Sequence, residues 1–255
     1  MKSGKIRLDR LLLDRGLAET RQKAQAMILA GSVLVDEEKI EKCGASVREE
    51  VSVRLLGSPL KYVSRGGVKL EGALDHFSVE VDGKVCLDVG ASTGGFTDCL
   101  LQRGAAKVIA VDGGTNQLDW RLRNDPRVLS LEKTNARYLR FEQVGEKAEL
   151  ATVDVSFISA ELIVAQLSPL LKSGADLLVL VKPQFEVGRG QVGKGGIVRD
   201  PELQQKAVAG VQLKLEELGF VAIRSTESRI QGAEGNREFF LHARWPNDNQ
   251  SDIFS

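Results

Sequence analysis

The chain has 255 residues, 42% of them hydrophobic and 27% charged, which suits one sizeable core or a small domain beside a medium one and excludes a wholly disordered polymer. Its 35 lysines and arginines balance 35 aspartates and glutamates, so only the placement of charge can speak for a nucleic-acid partner. Cys43, Cys86 and Cys99 have no CxxC spacing and His76 and His242 stand alone, so neither a disulfide framework nor a metal site is expected.

No apolar run reaches the roughly 18–20 residues that cross a bilayer. The opening MKSGKIRLDR lacks the apolar centre of a signal peptide. The expectation is a soluble cytoplasmic protein without a membrane partner. Oligomeric state is unreadable, with a monomer as the working expectation.

In chain order, IRLDRLLLDRG predicts a helix with Leu8, Leu11 and Leu12 on one face, stopping at Gly16. Thr20 caps a second helix, RQKAQAMILA, that ends at Gly31 and turns Ala24, Met27 and Ile28 toward the first. SVLVD and VSVRLL alternate like half-buried strands, with DEEK as the turn between them. This unit, residues 1–58, is small but can fold alone. Lys5, Arg7, Arg10, Arg15, Arg21 and Lys23 cluster on its helices, while Glu37, Glu38, Glu41, Glu49 and Glu50 come later. Such segregation presents a basic face to phosphates or is simply a solvated helix surface. The breakers Gly57 and Pro59 mark a linker over 59–65, in which Tyr62 is an anchor or a packing residue.

From residue 66 to 245 the pattern becomes strand and helix in alternation. KVCLDVG, KVIAVDGG, ELATVDVSF and ADLLVLVKP read as strands. GGFTDCLLQRG, SAELIVAQLSPLLKSG and PELQQKAVAGVQLKLEELG read as helices, and FVAIRSTESR with REFFLHARW as a closing hairpin. The fold class is therefore α/β: a small α+β domain, then a Rossmann-like, mostly parallel sheet with a terminal antiparallel hairpin and a tail over 246–255.

LDVGASTGGF falls where a strand turns into a helix, the place where open α/β sheets bind ligands. Asp88, Gly90, Ala91, Ser92, Thr93, Gly94, Gly95 and Phe96 form this candidate cofactor turn. Asp112, about 24 residues past Asp88, suits two ribose hydroxyls. Ser92 stands where a dinucleotide fingerprint needs its second glycine, so S-adenosylmethionine, which has no phosphate, fits better than a nicotinamide cofactor.

These residues carry a resemblance. RLDRLLLDRGLAETRQKAQAMILAG is similar to the S4-type RNA-binding domain. VSRGGVKLEGAL, LDVGASTGGFTDCLLQRGA, VDGGTNQL, EKTNAR, DVSFIS, LVKPQFE and GNREFF, in this order, resemble the TlyA family, also known as hemolysin A, with an FtsJ-like methyltransferase domain. The resemblance implies 2′-O-methylation of a ribose, a cytidine in ribosomal RNA within ribosomal subunits, with S-adenosylmethionine as donor. It implies a catalytic set of Lys69, Asp154, Lys182 and Glu238, and adds Asn135 as a donor contact.

A lysine ammonium is a weak base at neutral pH, so a proton-accepting lysine needs help from its surroundings. In the expected scheme Lys182 accepts or steers the hydroxyl proton, Asp154 orients it and favours the sulfonium, and Lys69 and Glu238 hold the ribose. FEVGRGQVGKGGIVRD is either a solvated loop or a flap that touches RNA through Arg189, Lys194 and Arg199. The expected RNA contacts are Arg7, Arg10, Arg21, Lys23, Arg65, Arg189 and Lys194. The competing readings are a ribosome-binding factor without activity and a pore-forming hemolysin.

Overall fold

The computed structural model describes residues 5–42, 44–56, 61–232 and 235–247. Cys43, residues 57–58 of the expected first domain, residues 59–60 of the expected linker and residues 248–255 of the expected tail lie outside these. The chain divides into two compact units, 1–61 and 62–255.

In the first unit, β1 (Lys5–Arg7) leads directly into α1 (Leu8–Asp14), and α2 (Arg21–Leu29) follows. Thr20 caps α2 as its sequence position predicts, its hydroxyl accepting the Lys23 N–H at 3.2 Å. Leu8, Leu11, Leu12, Ala24 and Ile28 are buried together, with Met27 packed at their edge. β2 (Val33–Val35) is the middle strand between β3 (Glu38–Lys39) and β5 (Val53–Leu55), while β4 (Ser46–Arg48) pairs with β1.

Two sequence expectations change here. DEEK is not only a turn: Asp36 and Glu37 adopt left-handed φ values of 50° and 65°, and the chain returns at once as β3. β2 is buried at all three positions instead of alternating, as befits a central strand.

The second unit runs α3 (Gly66–Phe77), β6 (Val85–Val89), α4 (Gly95–Gln102), β7 (Lys107–Val111), α5 (Trp120–Arg123), β8 (Val128–Leu131), α6 (Phe141–Val144) and β9 (Ala148–Val153). It continues with α7 (Glu161–Val164), β10 (Leu171–Val181), α8 (Pro183–Glu186), α9 (Pro201–Glu217), β11 (Val221–Glu227) and β12 (Phe239–Arg244). The sheet order is β11-β12-β10-β9-β6-β7-β8, with β12 antiparallel to both neighbours and the rest parallel.

The continuous apolar strands are explained by cover on both faces. Leu87, Val89, Ala151, Val153, Val179 and Val181 face one core, which includes Val211 and Leu215 of α9. Cys86, Leu150, Leu178 and Leu180 face the other, with Leu70 and Leu74 of α3 and Leu100 of α4.

The predicted helix SAELIVAQLSPLLKSG is largely replaced. α7 covers only Glu161–Val164, a 3₁₀ turn spans Ser168–Leu170, and LKSG already belongs to β10. Pro169 cannot donate its backbone nitrogen to a continuing helix. β8 was not anticipated, because its four half-buried residues are too few for a periodic signal. The parallel order brings the carboxyl ends of β6, β7, β9 and β10 to one edge of the sheet.

Candidate active site

The turn after β6 is shaped by backbone that few side chains tolerate. Gly90 and Gly94 have φ of 91° and 96°, and Ser92 is also left-handed at 48°. A Cβ on Gly90 would stand 2.3 Å from the Asp154 carbonyl oxygen, and one on Gly95 would stand 2.9 Å from the Gly67 nitrogen. At the end of β7, Asp112 accepts the N–H groups of Ser92 at 2.8 Å and Gly114 at 2.6 Å. The expected ribose-binding acid is thus locked to the turn it serves.

Two expected cofactor residues face elsewhere. Asp88 is fully buried and accepts the hydroxyls of Thr97 at 2.7 Å and Thr152 at 2.9 Å. Burial pushes its carboxyl up to about 6 against those two hydrogen bonds. It braces the turn from beneath and does not line the clefts. Gly94 turns toward Leu118 and Leu122, where a Cβ would meet Leu122 at 2.3 Å, so its role is to start α4.

The four charged residues form two ion pairs. Lys182, at the end of β10, places Nζ 2.6 Å from Asp154 Oδ1 beyond β9, and donates to Ser156 Oγ at 2.8 Å. The Lys182–Asp154 contact is electrostatic and poorly directed, since Asp154 Oδ1 accepts no well-aligned hydrogen bond from the described residues. Lys69, in the first turn of α3, donates to Glu238 Oε2 at 2.6 Å, and the Glu238 side chain is only 3% exposed.

All four line one cleft of about 370 Å³, together with Ala91, Thr93, Gly95 and Phe96 of the turn. A second cleft, of about 620 Å³, is lined by Asp112, Asn135, Lys133 and Thr134. Asn135 also caps the 3₁₀ turn Ala136–Tyr138 through the Arg137 N–H. The clefts share Gly90, Ser92, Asp154, Ser156 and Phe157.

Sequence reasoning overlooked several cleft residues. Ser156, Phe157, Gln184 and Phe185 belong to the DVSFIS and LVKPQFE segments, in which the expected site residues are Asp154 and Lys182 alone. Phe157 is 92% exposed at φ 65°, beside Phe185 with ring centroids 5.2 Å apart. Glu186 fastens this edge by accepting Ser159 Oγ at 2.6 Å and the Ala160 N–H at 2.8 Å.

The expected RNA contacts are not alike. Arg7 donates to the fully buried Asp9 at 3.0 and 2.9 Å, Arg21 at 3.1 Å and Gln25 at 2.9 Å. Arg7 first, then Gln25 and Arg21, hold the Asp9 carboxyl far below the usual carboxylate range although burial opposes them. Arg10 pairs with Asp14 and Lys23 with Glu19, each at four-residue spacing, so part of the basic face is locally neutralised.

Arg65 lines the cleft of the four charged residues. Lys194 and Arg199 are exposed on the glycine-rich loop; the Arg189 side chain lies outside the described residues. Asn236 ties that loop down, accepting the Val198 N–H at 3.1 Å and donating to the Gly196 carbonyl at 2.9 Å.

The FtsJ-like methyltransferase family matches residues 62–245, and the S4 domain matches residues 6–52. The 16S/23S rRNA (cytidine-2′-O)-methyltransferase TlyA of Mycobacterium tuberculosis is 46% identical over 96% of this chain and 91% of its own length. Hemolysin A of Brachyspira hyodysenteriae is 43% identical over 93% of this chain and 99% of its own. A solved Streptococcus thermophilus chain, provisionally named a hemolysin, superposes with a TM-score of 0.74 at 43% identity, covering 96% of this chain and 92% of that one.

Proposed function

This chain belongs to the FtsJ-like methyltransferase family, in its S4-bearing TlyA branch, and on that premise we propose that it methylates a ribose 2′-hydroxyl, that of a cytidine, in ribosomal RNA. The observation that carries this reading is the Lys182–Asp154 pair, in which Asp154 lines both clefts and Lys182 the smaller one.

The larger cleft fits S-adenosylmethionine. Asp112 offers a carboxylate to a ribose diol, Gly90 allows close backbone approach, and the Asp154 charge faces the shared wall. Bound there, this donor supplies a methyl group on a positively charged sulfur. Asp154 favours that charge nearby and holds the Lys182 ammonium. The Lys182 ammonium orients the acceptor hydroxyl, whose proton passes to solvent water as the oxygen takes the methyl group and the bonding electron pair stays on sulfur. Lys69 and Glu238 position the acceptor ribose. Positioning of this kind, more than covalent help, lowers the barrier to in-line transfer.

The S4 unit and Arg65 supply RNA contacts, and assembled ribosomal subunits in the cytoplasm are the proposed substrate. The complete pairing of the four charged residues favours an enzyme over an inactive ribosome-binding factor. The hemolysin reading rests on relatives' names; among the described residues no helix is long and apolar enough to cross a membrane.

The test is methyl transfer from labelled S-adenosylmethionine to purified ribosomal subunits, with mass-spectrometric mapping of the product. Ribose methylation by the wild type and loss of at least about 100-fold in Lys182→Ala support the proposal. Wild-type transfer only to bases, or an unimpaired Lys182→Ala, overturns it.

A further inference from the structure

The basic residues expected to meet RNA differ in how much of their charge is left for a partner. In the first unit Arg7 and Arg21 pair with Asp9, Arg10 with Asp14 and Lys23 with Glu19. Lys194 and Arg199 are exposed on the glycine-rich loop that follows α8, and among the described residues neither is paired with a carboxylate. Cations of that kind are the ones that exchange their counterions for phosphates.

The loop is gripped by two buried amides. Asn236, 3% exposed, accepts the Val198 N–H at 3.1 Å and donates to the Gly196 carbonyl at 2.9 Å. One partner is an N–H and the other a carbonyl, so the amide has a single orientation; its flip would set donor against donor. Gln204 of α9, equally buried, donates to the Val198 carbonyl at 2.7 Å.

Asn236 also belongs to the cleft wall. Its carbonyl accepts the Gly232 N–H at 2.8 Å, and Gln231, Gly232 and Glu238 line the smaller cleft. A Cβ on Gly232 would collide with the Glu238 carboxylate. One short stretch of chain thus places Glu238 and grips the loop. A ribose within an RNA chain carries a phosphate on each side, and a cleft that takes the ribose leaves those phosphates to cations beside its wall.

We propose that Lys194 and Arg199 bind RNA phosphates next to the acceptor ribose, and that Asn236 is the positioning residue that holds their loop in register with Glu238. This rests on the ribose-methylation reading above and gives its RNA substrate a contact surface in addition to the S4 unit and Arg65.

The test is a double-mutant cycle read in the binding of purified ribosomal subunits across a salt series. Lys194→Ala is expected to weaken binding several-fold and to reduce the salt slope by about one. Asn236→Ala keeps every charge, yet is expected to do at least as much, because a released loop no longer presents its cations. Adding Lys194→Ala to it should then change little. Asn236→Ala should also slow methyl transfer at saturating subunits, by misplacing Glu238, with S-adenosylmethionine affinity unchanged by calorimetry. Should the alanine variant misfold, Asn236→Ser, too short to span Val198 and Gly196, carries the same expectation. Wild-type affinity and salt slope in a folded Asn236 variant overturn the proposal, and so do effects of the two substitutions that simply add. Subunits that the wild type binds but does not methylate on ribose overturn the earlier reading alone, since the cycle is scored on binding. A wild type that binds no subunits overturns both.

Discussion

Glu238 Oε2 and Lys69 Nζ meet at 2.6 Å although 169 positions separate the two residues. The pair joins the residue before β12 to the first turn of α3 in the smaller cleft, with both side chains largely buried. Removing one partner leaves the other as an uncompensated buried charge. Glu238→Ala is expected to cost about 3 kcal/mol of stability, read in denaturant unfolding. Glu238→Gln keeps an acceptor for the Lys69 ammonium and should cost less stability than Ala, yet lose methyl transfer with donor affinity intact, which calorimetry and a single-turnover assay would separate. A Gln variant with wild-type turnover argues against the ribose-holding role.

Asp112 supports a prediction of the opposite kind. It fixes the turn through Ser92 and Gly114 and faces the larger cleft. Asp112→Ala should weaken S-adenosylmethionine binding at least about tenfold, by lost hydrogen bonds alone. RNA affinity should be unchanged in gel-shift titration.

Asp9 offers a test in which charge and geometry disagree. Asp9→Asn makes the chain more positive, and simple electrostatics would then strengthen RNA binding. The buried carboxylate instead orients Arg7 and Arg21, so the expected outcome is weaker binding with a shallower salt dependence. Acid sensitivity follows as well. Because the folded carboxyl ionises far more readily than the unfolded one, its stabilisation is present above the ordinary carboxylate range and fades as pH falls through and below it. Asp9→Asn should lose that acid-dependent part of thermal stability.

Asp88 has the reverse sign. Burial raises its carboxyl from 3.8 to about 6, so the folded state holds a proton that the unfolded state releases. Stability should therefore decline as pH rises from about 4 through about 6, by an amount on the order of 3 kcal/mol. Thermal melts of Asp88→Asn across that interval should lack this component.

Much of the architecture was legible in the strand and helix alternation, and the charged site residues in their motifs. Orientation was harder to read. Asp88 sits in the glycine-turn motif, yet strand side chains alternate faces and its position points beneath the turn to Thr97 and Thr152. The local neutralisation of Arg10 and Lys23 is readable from Asp14 and Glu19 at four-residue spacing. Gln184 carried no comparable signal: a neutral amide between a proline and a phenylalanine shows its unpaired oxygen only after packing.

Gly90 lacks room for even a methyl group, because the Asp154 carbonyl presses against its α-carbon, and both clefts touch it. The contact has no slack: a side chain there would meet the Asp154 backbone first, and the shift would carry Asp154 away from Lys182. What position 90 contributes is an absence, the room that lets the end of β9 and the glycine turn close on each other.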